Sequence, residues 1–317
     1  MAPHPHLITL PGLRGPVYAG HPLAPLTTWR IGGPAARLAV PQDLEDVYAL
    51  LRLAAARDWP VFFLGRGSNV LIADAGLPGL TLYLAKSFQK IELLGNLLKV
   101  GAGVALPRLA RVLASWGIAG YEFLAGIPGT VGAGVRLNAG AHGENLGQRL
   151  HRVWVVTPGL ELAALPAAEL ALGYRTSRLL TLPRHLVVEV ELVVTAEASP
   201  ESIRARQDEL LRERRGRQPA DPRTCGSVFK NPPSGPPAGW LIEQTGWKGR
   251  RYGGAQVSFK HANFIINKGG ATAADIRRLM ADITASVLDT FGIRLTREVV
   301  FLPEDVLASD SPDFRGP

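Results

Sequence analysis

The sequence predicts an α+β fold, and three observations carry that reading. Apolar residues recur at helical spacing in some segments and run continuously or alternate in others. The two kinds mix without the regular strand, helix, strand order of a doubly wound sheet. A total of 35 glycines and 25 prolines in 317 residues demands many short elements and tight turns. With 46% hydrophobic and 20% charged residues, disorder over most of the chain is excluded.

The first helix is expected from Asp43 to Arg57, where Leu44, Val47, Leu51 and Ala54 share a face and Asp43, with Asp46 three residues on, supplies the N-cap. Trp59-Pro60 stops it, and Val61 to Leu64 reads as a buried strand entering the loop Gly65-Arg66-Gly67-Ser68-Asn69. Strands are expected over Gly79–Leu84 and Ile91–Val100. A helix through Leu106, Leu109, Val112 and Leu113 ends at Gly117. Six glycines between Gly126 and Gly143 argue against any regular helix or strand there.

Strands resume at Val153–Val156 and at His185–Val194. Ser199-Pro200-Glu201 then opens a helix reaching about Gly216, with Pro at its first position and an acid in its first turn. The main boundary is placed before it, giving units 1–197 and 198–305 and a disordered tail at 306–317. In the last third Thr272 caps a helix, Asp275 completes the capping box, and Ile276, Leu279, Met280, Ile283 and Val287 form its core stripe. Ile293–Leu302 is expected as one alternating strand.

The net charge is +8. Arg204, Arg206, Arg212, Arg214, Arg215 and Arg217 fall on one expected helix, and no zinc finger, basic zipper or aromatic RNA-binding signature accompanies them. A solvated helix face is the reading adopted, with no nucleic-acid partner; a small anionic substrate is the other thing such charge attracts. One cysteine, Cys225, excludes an internal disulfide and no Cys/His cluster has metal spacing, so no metal is expected. No export signal and no membrane span are read, and a cytoplasmic monomer is expected.

Glycine lets a backbone approach a ligand, so Gly65–Asn69 and Gly126–Gly143 can present N–H groups to phosphate. The Rossmann fingerprint fails, because neither Gly65-Arg66-Gly67 nor Gly101-Ala102-Gly103 has its third glycine. No Gly-Lys-Ser/Thr exists for a P-loop either.

Seven ordered segments decide the reading: Thr28-Trp29-Arg30-Ile31-Gly32-Gly33, Leu64 to Asn69, Gly126 to Gly132, Leu137 to Ala141, Tyr174 to Ser177, Cys225 to Pro232, and Arg297-Glu298-Val299. In sequence, order and approximate spacing they resemble the UDP-N-acetylenolpyruvoylglucosamine reductase (MurB) family, from about His21 to Pro303. The resemblance implies a two-lobed FAD-binding unit of the p-cresol methylhydroxylase/vanillyl-alcohol oxidase type, followed by an α+β substrate-binding domain. It also implies FAD and NADPH as cofactors. The chain departs from the family in Gly132-Ala133-Gly134 for Gly-Gly-Ala and in Leu137 for Met. The spacing of Arg175 and Ser227 fits the shorter family type, which lacks a tyrosine-bearing lid.

The implied reaction delivers hydride from NADPH, by way of the flavin, to the terminal carbon of an enolpyruvyl ether, and a proton to the neighbouring carbon. By resemblance Ser227 is the proton donor. Arg175 holds the carboxylate on which charge grows, a task suited to a planar, permanently protonated fork. Glu298 donates a hydrogen bond to the enolate oxygen if burial keeps it neutral. The resemblance assigns the cofactor to Leu64, Gly65, Arg66, Gly67, Ser68, Asn69, Gly126, Ile127, Pro128, Gly129, Thr130, Gly132, Asn138, Ala139 and Gly140. It assigns the nucleotide sugar to Tyr174, Arg217, Lys230, Asn231 and His261. Without it, Ser227 reads as a turn residue, Glu298 as a strand glutamate paired with Arg294 or Arg297, and His261 as a structural histidine. Cys225 reads as packing. Two other functions stay open on the residues alone: a flavin oxidase on the same scaffold, and a non-catalytic binder of RNA or nucleotide sugars.

Overall fold

A computed structural model describes residues 5–182 and 184–309. Two five-stranded sheets, each the centre of a lobe, and a C-terminal unit border a common cavity. The first lobe is a five-stranded sheet in the order His6–Ile8, Val17–Pro22, Pro34–Ala39, Leu80–Tyr83, Val61–Leu64, antiparallel at its N-terminal edge and parallel at the other. The helix Leu44–Ala56 packs on it through Val47, Leu50 and Ala54. Asp43 caps that helix as expected, accepting from the Asp46 N–H.

Asp46 has a second use. Its buried carboxylate accepts from the backbone N–H groups of Arg14, Gly15 and Gln42 at 2.9, 2.8 and 2.9 Å, pinning the N-terminal segment to the helix. Burial pushes its pKa up, but the three hydrogen bonds and the charge of Arg14 outweigh it and hold the group below its ordinary 3.8. Asp46→Asn is therefore expected to cost roughly 1–3 kcal/mol in urea unfolding at pH 7. Because the folded pKa is depressed, the carboxylate's contribution is complete above pH 3.8 and is lost as the pH falls through the lower folded value. The gap between variant and wild type should close in that acid range. Equal stability at pH 7 would contradict this role.

The second lobe is an antiparallel sheet in the order Leu162–Pro166, Leu150–Val156, Leu186–Val193, Leu97–Gly101, Ile91–Leu94. The single strand expected over Ile91–Val100 is a hairpin. Gly95-Asn96 turns the chain between Leu94 and Leu97, with Gly95 at φ +63°, a conformation open to glycine at the first turn position. The glycine-rich stretch also departs from expectation, because Val131–Arg136 is helical. Packing overrides the poor propensity of its glycines. A Cβ on Gly132 would lie 2.8 Å from the Ala102 Cβ, and one on Gly134 2.9 Å from a Leu146 methyl.

The arginine-rich helix Pro200–Arg217 starts at Ser199 as expected but is not simply a solvated face. Ile203, Gln207 and Leu210 are buried, and the Gln207 side chain donates to the Ala110 carbonyl at 2.9 Å, so the helix packs on Leu106–Ser115 of the second lobe. This helix, which opens the second expected unit, thus packs on the second lobe.

The remainder folds around Ala273–Phe291, with the expected Thr272/Asp275 capping box and Gly292 in the left-handed region. A small sheet, Arg251–Tyr252, Ala255–Val257 and Ile265–Asn267, packs against it. Trp29, fully buried, reaches in from the first lobe and donates to the Ile265 carbonyl at 2.8 Å, while Asn267 donates back to the Trp29 carbonyl. Of the strand expected over Ile293–Leu302 only Val300–Leu302 forms, because its partner is the short Val70–Ile72 of the first lobe, paired in parallel. Part of the expected tail is ordered. Glu304–Ser309 is helical, held by Asp305, which accepts from both Arg297 Nη atoms and from the Phe301 N–H. The rest of the tail, 310–317, lies outside the described residues.

Candidate active site

A cavity of about 710 Å³ runs between the two lobes and the C-terminal unit. Leu64 to Asn69 wall one side, and Ile127, Pro128, Gly129, Thr130, Gly132, Ala139 and Gly140 wall another. Strand Val61–Leu64 delivers the first loop, and Ser68 Oγ donates to the Pro128 carbonyl, tying the two loops together. Gly67 has φ +59°, and a Cβ there would lie 2.4 Å from the Leu26 carbonyl oxygen. Gly65 passes close to Thr130, where a Cβ would meet the hydroxyl at 2.9 Å.

Among the described residues the backbone N–H groups of Arg66, Gly67, Ser68, Gly129 and Thr130 donate to no protein acceptor. Two facing loops of free N–H groups, with no side chains at their glycines, match the needs of a dinucleotide diphosphate, so the residues present fit FAD. Gly67→Ala should strain the loop and clash with a backbone oxygen. The expected outcome is protein purified with little bound flavin and a lowered unfolding midpoint; wild-type flavin content would contradict it.

Two of the expected cofactor residues do not line the cavity. Gly126 makes room for a neighbour, since a Cβ on it would lie 2.9 Å from Arg214 Cδ. Asn138, at φ +43°, is a buried clip: its amide donates to the Gly173 carbonyl at 3.0 Å and its oxygen accepts from the Gly147 N–H at 2.8 Å. That clip anchors a tight turn in which Gly173 and Thr176 pair and Tyr174 and Arg175 occupy the corner, Arg175 at φ +53°. Strain of this kind persists only where the surroundings over-determine it.

Arg175, Ser227 and Glu298 all line the same cavity. They arrive from three separate segments. Ser227 follows Gly226, at φ +87°, and pairs with Phe264. Asn263 fixes the next two residues: its carbonyl accepts from the Val228 N–H, and its side chain bonds both N–H and C=O of Phe229. Glu298 lies alongside, its N–H donating to the Val228 carbonyl at 2.9 Å. Its own carbonyl accepts from the Asn69 amide at 3.1 Å, so the glycine loop and the carboxylate share one support.

Arg175 Nε and Glu298 Oε1 are 2.8 Å apart. The angle leaves that N–H without a well-formed hydrogen bond, and among the described residues Nη1 reaches only the Gly140 carbonyl at 3.4 Å. The fork is therefore largely free to take an anion. Burial raises the Glu298 pKa above the ordinary 4.5, against the opposing charges of Arg175 and Lys230. Glu298 thus pairs with Arg175, not with Arg294 or Arg297; Arg297 is engaged by Asp305.

Of the expected nucleotide-sugar residues, Arg217 lines this cavity, whereas Tyr174, Lys230 and Asn231 line an adjoining one of about 540 Å³ with Pro232 to Gly235. Lys230 Nζ also donates to the Arg175 carbonyl at 3.2 Å, bracing the turn. His261 lies in neither. Its Nδ1 accepts from the Asn263 N–H, its ring packs 4.8 Å from Phe264, and burial lowers its pKa, with Lys248 adding to the effect. Cys225 lines the cavity as a buried thiol pushed well up by burial and then by Glu298, so it is no thiolate nucleophile.

Sequence reasoning missed Arg136 and treated Arg214 as surface; both line the cavity. Arg214 and Arg217 sit three apart and so share a helix face, a signal present in the sequence. Arg136 follows no pattern that would have marked it.

The matching family models are an FAD binding domain over residues 35–161 and the UDP-N-acetylenolpyruvoylglucosamine reductase C-terminal domain over residues 218–302. UDP-N-acetylenolpyruvoylglucosamine reductase 2 of Symbiobacterium thermophilum is 42% identical over 285 residues, 90% of this chain and 92% of that one. This chain belongs to the MurB family. The MurB-family reductase of Synechococcus sp. (strain WH7803) is 44% identical over 282 residues, 88% of this chain and 90% of that one. The crystal structure of UDP-N-acetylenolpyruvylglucosamine reductase (MurB) from Thermus caldophilus matches with a TM-score of 0.76 at 35% identity, covering 92% of this chain and all of that one. The MurB family assignment carries with it the FAD-binding unit and the reductase C-terminal domain expected from the sequence. Among the described residues no helix is long and apolar enough to cross a membrane.

Proposed function

We propose that the chain reduces the enolpyruvyl ether of UDP-N-acetylglucosamine to UDP-N-acetylmuramate, with FAD held in the large cavity and NADPH as reductant, in peptidoglycan precursor synthesis. The observation that carries this is the convergence of Ser227, Arg175 and Glu298 on a cavity walled by two loops of free backbone N–H groups. Bound there, FAD supplies a hydride acceptor and donor between NADPH and substrate.

The protein's share is charge and proton management. The substrate gains hydride at its terminal carbon, and the electron pair of its double bond moves toward the carbon bearing the carboxylate. Arg175 offers its open fork to that carboxylate, where negative charge accumulates in the transition state. Ser227 Oγ gives its proton to the carbon, and solvent restores it. Glu298, its pKa raised by burial, stands beside both groups as a hydrogen-bond donor to the enolate oxygen when protonated. Arg217, Lys230, Asn231 and Tyr174 line the path for the diphosphate and uridine. A lone buried thiol suits a reducing cytoplasm.

The test is product analysis. Purified protein given FAD, NADPH and the enolpyruvyl sugar nucleotide should yield a product heavier by two hydrogens, with one NADP⁺ formed for each. Oxygen-dependent NADPH consumption with no reduced sugar would favour an oxidase. A colourless protein that takes up no FAD would favour a binding protein.

A further inference from the structure

Arg136 ends the helix Val131–Arg136, and the face it leaves open borders the large cavity. Several arginines pair with carboxylates, Arg149 with Glu144, Arg152 with Glu191, Arg175 with Glu298 and Arg297 with Asp305, whereas the partly buried Arg214 on the same cavity has no such partner among the described residues. Among the described residues Arg136 has none either. Its single hydrogen bond runs from Nη1 to the His185 carbonyl at 3.2 Å. Burial lowers its pKa to about 10, which still leaves it charged at neutral pH.

An enclosed charge with no counter-charge destabilises the fold that carries it, and an apolar side chain of similar volume does the same packing without that cost. Such a group makes physical sense where a ligand brings the missing charge. The helix it ends begins directly after Gly129-Thr130, on the FAD side of the cavity, away from the Tyr174, Lys230 and Asn231 surface.

We propose that Arg136 is the counter-charge for an anionic oxygen of FAD, so that cofactor binding completes an ion pair the chain cannot make alone. This rests on the FAD reading above. FAD carries such oxygens at its diphosphate and, once reduced, at the pyrimidine edge of the flavin.

Arg136→Met and Arg136→Lys test it. The apo Met variant should unfold at the same temperature as apo wild type or higher, while the rise that FAD produces should be smaller. FAD should bind roughly tenfold to a hundredfold more weakly to the Met variant, the range for a lost charge-assisted hydrogen bond. Lys should restore most of that affinity. ADP separates the two sources. If ADP affinity falls in parallel, the partner is the diphosphate. If it holds and the midpoint potential of the bound flavin becomes more negative, the partner is the pyrimidine edge. Unchanged FAD and ADP affinities with an unchanged potential would overturn the proposal, as would an apo Met variant destabilised as much as the FAD-bound one. Wild type that takes up no FAD overturns the FAD reading as well, whereas wild type that binds it beside an equally competent Met variant overturns the role of Arg136 alone.

Discussion

In Ser227→Ala, NADPH still bleaches the flavin absorbance at the wild-type rate, while its recovery on adding the enolpyruvyl sugar nucleotide slows by roughly 10²–10⁴-fold, the range for lost general acid catalysis. The two half-reactions separate because only the second needs a proton at carbon. A serine hydroxyl is a weak acid, but the electron-rich carbon is a strong base, so placement matters more than a shifted pKa. Placement is what the surroundings provide. The serine backbone is held by its pairing with Phe264, and the residues after it by the Asn263 bonds to Val228 and Phe229, none of which uses the hydroxyl. Alanine therefore removes the proton and leaves the loop in place. Stopped-flow absorbance under anaerobic conditions reads both steps, and equal slowing of both would remove Ser227 as the donor.

Arg175→Lys should impair the same second half-reaction by a comparable factor, with little change in the first. The charge survives but the planar fork does not. In the wild type Arg175 is held at positive φ by a corner that Asn138 and Lys230 brace, and its pairing with Glu298 leaves most of its donors open. A lysine ammonium in the same turn can meet Glu298 but cannot grip a carboxylate bidentately. The lost interaction belongs to the transition state, so kcat should fall more than substrate affinity. Wild-type turnover would take Arg175 out of the site.

Much of this architecture was legible because local chemistry and tertiary contacts agreed. The Asp43 and Thr272 caps, the Leu44–Ala56 and Ala273–Phe291 stripes and the strand feeding Gly65 all read directly from spacing. Local reading failed where tertiary packing decided. Glycines at 132 and 134 sit in a helix because Ala102 and Leu146 leave no room for a side chain. The strand ending at Leu302 is short because its partner lies in another lobe. Arg214 lines the cavity because the helix docks through Gln207, a residue with no hydrophobic signature, together with Ile203 and Leu210. Motif order pointed to Arg175, Ser227 and Glu298, which the fold does bring to one cavity, and also to His261, Gly126 and Asn138, which do not line it.

The most direct measurement of the central claim is the visible spectrum of the wild-type protein followed anaerobically through two additions. NADPH should bleach the bound flavin, and the enolpyruvyl sugar nucleotide should then restore its absorbance with stoichiometric formation of the reduced sugar. Absorbance that stays bleached after the second addition, in protein that was reduced by the first, would contradict the account.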